Sequence, residues 1–395
     1  MKTFSLSMFV RRLGTAASLC FVTLGSTAQA VTLDTSLNET VMMLPVVAQD
    51  GTTLNLETTI FKPPGPGPFP LLVMNHGKER GSPAAQKRDR FLAMSREFVK
   101  RGYAVVVPMR KGFAQSGGSY RDYGCNMKDN GQTQADDVQA ALTAVLQQGW
   151  ADPARIIVAG QSYGGLATMA FGTRHFLGVR GLLNFAGGLR IDGGSCDWRG
   201  ALVAALADYA GKTSVPSLWF YGANDSYFDL PLASQMSQAY QQRGGQAELI
   251  AFGHFKSDAH GLAGSRDGVA IWWPQTERFL QSLGMPTAEV VALPKPPSPP
   301  ATNFAAIDDV NAVPYLSEGG RQGYRAFLGK SAPRAFALSA SGEWSWAEEG
   351  DDPADRVLSA CQKPGKPPCQ LYAIDQDVVW NDAVAPALST QASGN

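Results

Sequence analysis

The chain has 395 residues, 44% of them apolar and 17% charged, with 34 Lys plus Arg against 34 Asp plus Glu. This is the make-up of a globular protein with one large core and a smaller one, and it excludes a disordered chain or a membrane bundle. The balanced charge gives no reason to expect nucleic acid or an anionic membrane as a partner.

Residues 1–30 read as a secretory signal. Lys2, Arg11 and Arg12 precede an apolar stretch around Leu13 to Leu24, too short to span a bilayer, and Ala28-Gln29-Ala30 forms an A-x-A cleavage site. Gly14 and Thr15 follow the arginine pair where a twin-arginine signal has apolar residues, which favours the general secretory route. Cleavage after Ala30 would remove three cations and no acid, leaving 31 Lys plus Arg against 34 Asp plus Glu. It would also remove Cys20 and leave an even set, Cys125, Cys196, Cys361 and Cys369. In the periplasm or outside the cell such a set suggests two disulfides, whose pairing the sequence leaves open. Order along the chain suggests Cys125 with Cys196 and Cys361 with Cys369.

Past the signal, strand and helix patterns alternate. Leu54 to Phe61 alternates apolar and polar residues, and Leu71 to Met74 and Ala104 to Val107 are short apolar runs, as strands buried on both faces should be. Further runs follow at Ile156 to Ala159, Gly181 to Phe185, Ser217 to Tyr221 and Glu248 to Phe252. Helical spacing marks Gln134 to Gln148, with Val138, Ala141, Leu142 and Val145 on one face, and Gly268 to Leu283, carrying Ile271, Trp272 and Phe279. Repeated strand then helix predicts an α/β fold with a mostly parallel sheet covered on both faces. The proline run Val290 to Pro300 predicts a stiff linker. The expected division is a catalytic domain over 31–290, a linker over 291–300 and a small α+β domain over 301–395 whose last dozen residues are disordered.

Within the first domain, Ile156-Ile157-Val158-Ala159 leads into Gly160-Gln161-Ser162-Tyr163-Gly164-Gly165, with a helical segment from Leu166 to Phe171 behind it. This is G-x-S-x-G in a strand–turn–helix setting. Such a turn lifts a serine hydroxyl above the sheet, and glycines two positions either side avoid collision with strand and helix. The segment resembles the nucleophile elbow of α/β-hydrolases, and its Ser-Tyr-Gly-Gly form is similar to their dienelactone-hydrolase-like and prolyl-peptidase-like branches. The resemblance covers about Leu44 to Gly284 and implies an α/β-hydrolase fold with Ser162 as nucleophile.

A serine needs a histidine to take its proton. His76 lies in Met74-Asn75-His76-Gly77 at a strand end, where the resemblance implies a place beside the oxyanion hole. His175 follows the elbow helix too closely to swing back over Ser162. His254 and His260 both follow the last predicted strand, where the family's base sits. The pattern Asp258-Ala259-His260-Gly261-Leu262 favours His260, with His254 as the alternative. The resemblance implies Asp225, after the strand Leu218 to Tyr221 and Gly222, as the orienting carboxylate, with Asp229 in reserve because Asp225 could instead cap the next helix. The order Ser162, Asp225, His260 matches this fold's order. The oxyanion donors implied are the backbone amides of Tyr163 and Lys78.

Two stretches are candidate pocket walls: Ala186 to Thr213, a lid or a connecting loop, and Arg110 to Tyr123. If Cys125 bonds Cys196, the two are tied together. Ala301 to Asn395 contains no histidine, so binding or structural support is its expected role. Dienelactone hydrolases proper use cysteine where this chain has Ser162, which turns the expectation to a serine carboxylesterase acting on a small-molecule ester or related acyl substrate. The rival readings are a prolyl-peptidase-like exopeptidase and a non-catalytic carbohydrate or cell-wall binding protein on a hydrolase fold. No zinc spacing, phosphate loop or dinucleotide fingerprint occurs, so no metal or cofactor is implied.

Overall fold

A computed structural model describes residues 33–294, 298–330, 332–348 and 350–381. The expected signal sequence and the expected disordered tail lie outside the described residues. The described residues from Asp34 onward form one compact unit holding two sheets.

The larger sheet has eight strands: β1 (Thr40–Val47), β2 (Thr53–Phe61), β3 (Phe69–Asn75), β4 (Ala104–Pro108), β5 (Ala151–Gln161), β6 (Val179–Phe185), β7 (Ser217–Gly222) and β8 (Ala247–Phe252). Their order across the sheet is β1-β2-β4-β3-β5-β6-β7-β8. The pairs β1/β2 and β2/β4 are antiparallel and every later pair is parallel. Between them run α1 (Leu92–Lys100), α2 (Met127–Leu146), α3 (Tyr163–Phe171), α4 (Trp198–Ala210) and α5 (Leu230–Gln242), and α6 (Val269–Ser282) follows β8.

Strand alternation divides the core in two. Leu71, Val73, Ile156, Val158, Trp219 and Tyr221 face one layer, while Leu72, Met74, Ile157, Ala159, Leu218 and Phe220 face the other. The middle of the sheet, β3 to β7, is therefore buried on both sides, which is why these strands read as continuous apolar runs. Two expected boundaries move. Helix α2 begins at Met127 rather than Gln134, because Asn126 caps it by accepting the Asp129 N–H, and its first turns are polar enough to lack a periodic signal. Strand β5 begins at Ala151 rather than Ile156, a short register shift marking the early part.

The second sheet, in the order β10-β9-β11-β12, is antiparallel and is built from β9 (Arg334–Leu338), β10 (Trp344–Glu348), β11 (Gln370–Ile374) and β12 (Asp377–Val378), with α7 (Glu318–Leu328) and α8 (Pro353–Cys361). Phe336 and Leu338 pack on one side of it with Tyr324 and Phe327, and Ala335 and Ala337 on the other with Val357. The proline run does not hang free at its start. The Val290 and Val291 amides donate to the Lys100 carbonyl, at 2.8 and 2.9 Å, and Leu293 packs against the α1/α6 layer.

Disulfides join Cys125 to Cys196, Cα atoms 5.8 Å apart, and Cys361 to Cys369, 6.1 Å apart. The first links the residues just ahead of the α2 and α4 caps, Asn126 and Asp197. It closes a loop of 71 residues, against 8 for the second. Chain entropy assigns it about 4.4 kcal/mol and the other about 2.5. The double variant Cys125→Ser/Cys196→Ser is thus expected to lose more stability than Cys361→Ser/Cys369→Ser, read from denaturant midpoints at equal m-value. The reverse order would refute the assignment.

Candidate active site

Ser162 sits between β5 and α3 with φ 56° and ψ −123°, a region costly for a residue with a side chain. Crowding around the turn dictates its glycines. A Cβ on Gly160 would lie 2.1 Å from the Gly164 carbonyl oxygen, one on Gly164 2.1 Å from the Asn75 oxygen, and one on Gly165 2.5 Å from the Gly187 Cα. The strained backbone is held by the Ser162 N–H donating to the Phe185 carbonyl (2.9 Å) and by the Ser162 carbonyl accepting from Gly165 (2.8 Å) and Gly188 (3.0 Å).

The His260 ring shares a cavity of about 310 Å³ with Ser162. Nδ1 of His260 lies 3.1 Å from both Asp225 carboxylate oxygens. Asp225 itself is buried at the end of β7, where one oxygen also accepts the N–H groups of Tyr227 (2.8 Å) and Phe228 (3.0 Å). The imidazole is set in place by its backbone: the His260 N–H donates to Asp258 and its carbonyl accepts from the Gln161 side chain. Tyr227 covers one ring face, centroids 4.4 Å apart. A carboxylate behind an imidazole, with a hydroxyl in the same cavity, can carry a proton from the hydroxyl to a leaving group.

The other acid and histidine candidates stand elsewhere. Asp229 caps α5 through the Leu232 N–H and pairs with Arg199 at 2.7 and 2.8 Å. His254 and His175 are exposed. His76 is fully buried, and its role is structural in an informative way. Its Nε2 accepts the Arg110 N–H at 3.0 Å, so in the neutral ring the proton is on Nδ1, 2.6 Å from the Gly77 carbonyl. Burial first, and the Arg110 guanidinium second, hold its pKa well below the ordinary histidine value. Gln86 Nε2 also reaches the Gly77 oxygen, at 3.4 Å. With that carbonyl pinned, planarity of the peptide aims the Lys78 N–H the opposite way. The Tyr163 amide, first in α3, has no partner within the helix. Gly77 and Lys78 line the same cavity as Ser162.

The expected walls differ from those observed. Arg110 turns inward to His76, Gln134 and the Tyr163 ring rather than toward the cavity. Arg190, Asp192, Trp198 and Arg199, from the 186–213 insertion, border a neighbouring cleft with Asp225 and Tyr227. The cavity beside Ser162 is walled instead by Glu79, Gln86, Asp89, Phe91, Tyr227, Gly264 and Gly350. Asp89 carries a signature: burial first, then the Asp351 and Glu79 charges, push its carboxyl up to about 7, against a hydrogen bond from Gln86 and the Arg110 charge. A raised carboxyl favours the folded state most when protonated, so this contribution is lost as pH rises from about 4 to about 7. Relative to Asp89→Asn, the wild type is expected to lose stability across that window and then run parallel. A stability difference independent of pH would refute the shift.

Residues 91–176 match the prolyl oligopeptidase family. The span begins at Phe91, includes the Ser162 turn and ends before Asp225 and His260. Together with the strand order and the strand–Ser162–helix turn, the match decides the superfamily. The chain has the α/β-hydrolase fold. Its class is that of the serine hydrolases. No curated protein matches the sequence of this α/β-hydrolase. Similar solved structures include a puromycin-hydrolyzing peptidase of Mycobacterium tuberculosis (19% identity, 62% of this chain and 39% of that one, TM-score 0.46). Others are a putative dienelactone hydrolase from Klebsiella pneumoniae (17%, 62% and 98%, 0.43) and an esterase of Pyrococcus furiosus (14%, 63% and 92%, 0.45). The α/β-hydrolase thus spans about two fifths of the length of the first of these.

Proposed function

We propose that this serine hydrolase cleaves carboxylic esters through an acyl-enzyme on Ser162, with His260 as base and Asp225 orienting it. The observation that carries the reading is Ser162, raised on its strained turn, opening into one cavity with a His260 whose far nitrogen is backed by Asp225. Ser162 Oγ attacks the ester carbonyl carbon as His260 Nε2 takes the hydroxyl proton, and the amides of Lys78 and Tyr163 receive the oxyanion. Collapse expels the alcohol, which takes the proton from His260. Water then repeats the sequence and releases the acid, restoring Ser162. Asp225 stays ionised throughout and stabilises the imidazolium.

The prolyl oligopeptidase match favours a second reading, an exopeptidase acting on amide bonds. Turnover of p-nitrophenyl butyrate against a proline p-nitroanilide separates the two: ester preference above about 10³ in kcat/KM supports the first, and its reversal the second. Fluorophosphonate labelling of the folded wild type is expected, and its absence sinks both readings in favour of a binding protein.

Export completes the proposal. Two disulfides fit an oxidising compartment, and no helix among the described residues is long and apolar enough to cross a membrane. The exported protein is expected to begin at Val31, as N-terminal sequencing would show. Residues 31–290 are assigned to the hydrolase domain, 291–300 to the linker and 301–395 to the added module.

A further inference from the structure

The C-terminal module reaches the cavity through one turn. Gly350 lines it, and the acid that follows crosses to α1. Asp351 Oδ2 accepts the N–H groups of Arg90 (2.9 Å) and Phe91 (2.6 Å), and Oδ1 accepts that of Leu92 (2.8 Å). Helix α1 has no local side-chain cap, because its N-cap position is Phe91 in a left-handed conformation, φ 47°. A carboxylate 259 residues further along the chain than Leu92 therefore fills the place of a cap. Asp352 adds an ion pair to Arg90, whose buried guanidinium also holds Glu39. Across the cavity the module is tied to the His260 loop, through Lys256 Nζ to the Ala332 carbonyl (2.9 Å) and Arg266 to Asp375 (3.1 Å). There a Cβ on Gly264 would lie 3.9 Å from the Gly350 Cα.

We infer that the module is a wall of the substrate cavity and that Asp351 is a positioning residue, holding Phe91 and Gly350 where they limit the acyl group to a short chain. The inference rests on the ester-hydrolase reading of that cavity. Left-handed backbone at Phe91 is strained and persists only where its surroundings over-determine it. The three amide bonds to Asp351 do so. When they are lost, Phe91 is free to leave the left-handed region, Gly350 loses its tether, and the cavity widens on that side.

The test compares full-length wild type, Asp351→Asn and Asp351→Ala on p-nitrophenyl esters from acetate to octanoate. Fluorophosphonate labelling and amide hydrogen exchange at Arg90 to Leu92 are measured beside the kinetics. In both variants Ser162 still labels and the acetate-to-octanoate ratio of kcat/KM falls at least about tenfold through a lower KM for the long ester; in Asp351→Ala all three amides exchange at least about tenfold faster, and in Asp351→Asn, which keeps one acceptor oxygen of two, the amides that face its NH2 group do so. Unchanged exchange overturns the capping role. Faster exchange with the acyl-chain profile within twofold of wild type makes Asp351 a helix cap alone and overturns the inference. Asp351→Asn, nearly isosteric, carries the comparison if the alanine variant does not fold. A wild type that neither labels nor cleaves any ester defeats the hydrolase reading itself, a failure seen before any variant is compared.

Discussion

Ser162→Ala is expected to lower kcat on the best ester by about 10⁶ and to abolish fluorophosphonate incorporation, while leaving the fold intact. The size follows from what the hydroxyl supplies. Without it no acyl-enzyme forms, and the oxyanion donors and substrate binding retain about 10³ over the uncatalysed reaction. The backbone bonds that hold the turn, from residue 162 to Phe185, Gly165 and Gly188, do not involve the side chain. Circular dichroism and the denaturant midpoint should therefore match wild type. Retention of more than about 1% of kcat in a preparation free of wild-type enzyme would remove Ser162 from the mechanism.

Asp225→Asn should cost about 10⁴ in kcat at neutral pH, because an amide cannot hold the imidazole in the donating tautomer or stabilise its charge. His260→Ala should cost at least as much. His254→Ala should stay within about twofold of wild type, since that residue is exposed and lies outside the cavity beside Ser162. Loss of activity in His254→Ala with activity kept in His260→Ala would move the base and leave the rest of the hydrolase standing.

The sequence made parts of this arrangement readable for identifiable reasons. Strands β3 to β7 are sandwiched between two apolar layers, so each contains a run without polar interruption. Strand β1 escaped because it is an edge strand in which Val41, Met43 and Val47 are exposed while Leu44 and Val46 are buried, a pattern blurred further by Pro45. The turn at Ser162 is legible because backbone crowding leaves room only for glycine at its flanks. Asp225 and His260 are marked by their positions after β7 and β8.

What escaped is chemistry made by contact. Tyr227 matters because it lies on the His260 ring, and Gln86 because it reaches the same carbonyl as His76. Asp89 sits in the charged string Lys87-Arg88-Asp89-Arg90, indistinguishable in the sequence from a solvated surface. Gly350-Asp351-Asp352 reads as an ordinary polar turn, and its partners are about 260 residues away. Resemblance to known enzymes directs attention to the elbow, and no periodicity or motif directs it to this turn.

The turn also bears on where the chain can be cut. The proline run offers an inviting place to trim the protein to its hydrolase part, since composition changes there and few side chains are large. A fragment ending near residue 290 would leave the first amides of α1 facing water and Arg90 with Glu39 but without Asp352. It would also strip the Lys100 carbonyl of the Val291 amide and drop one wall of the cavity. For expression, engineering or crystallisation, the smallest unit to work with therefore ends beyond Asp375, and the proline run is a crossing within it.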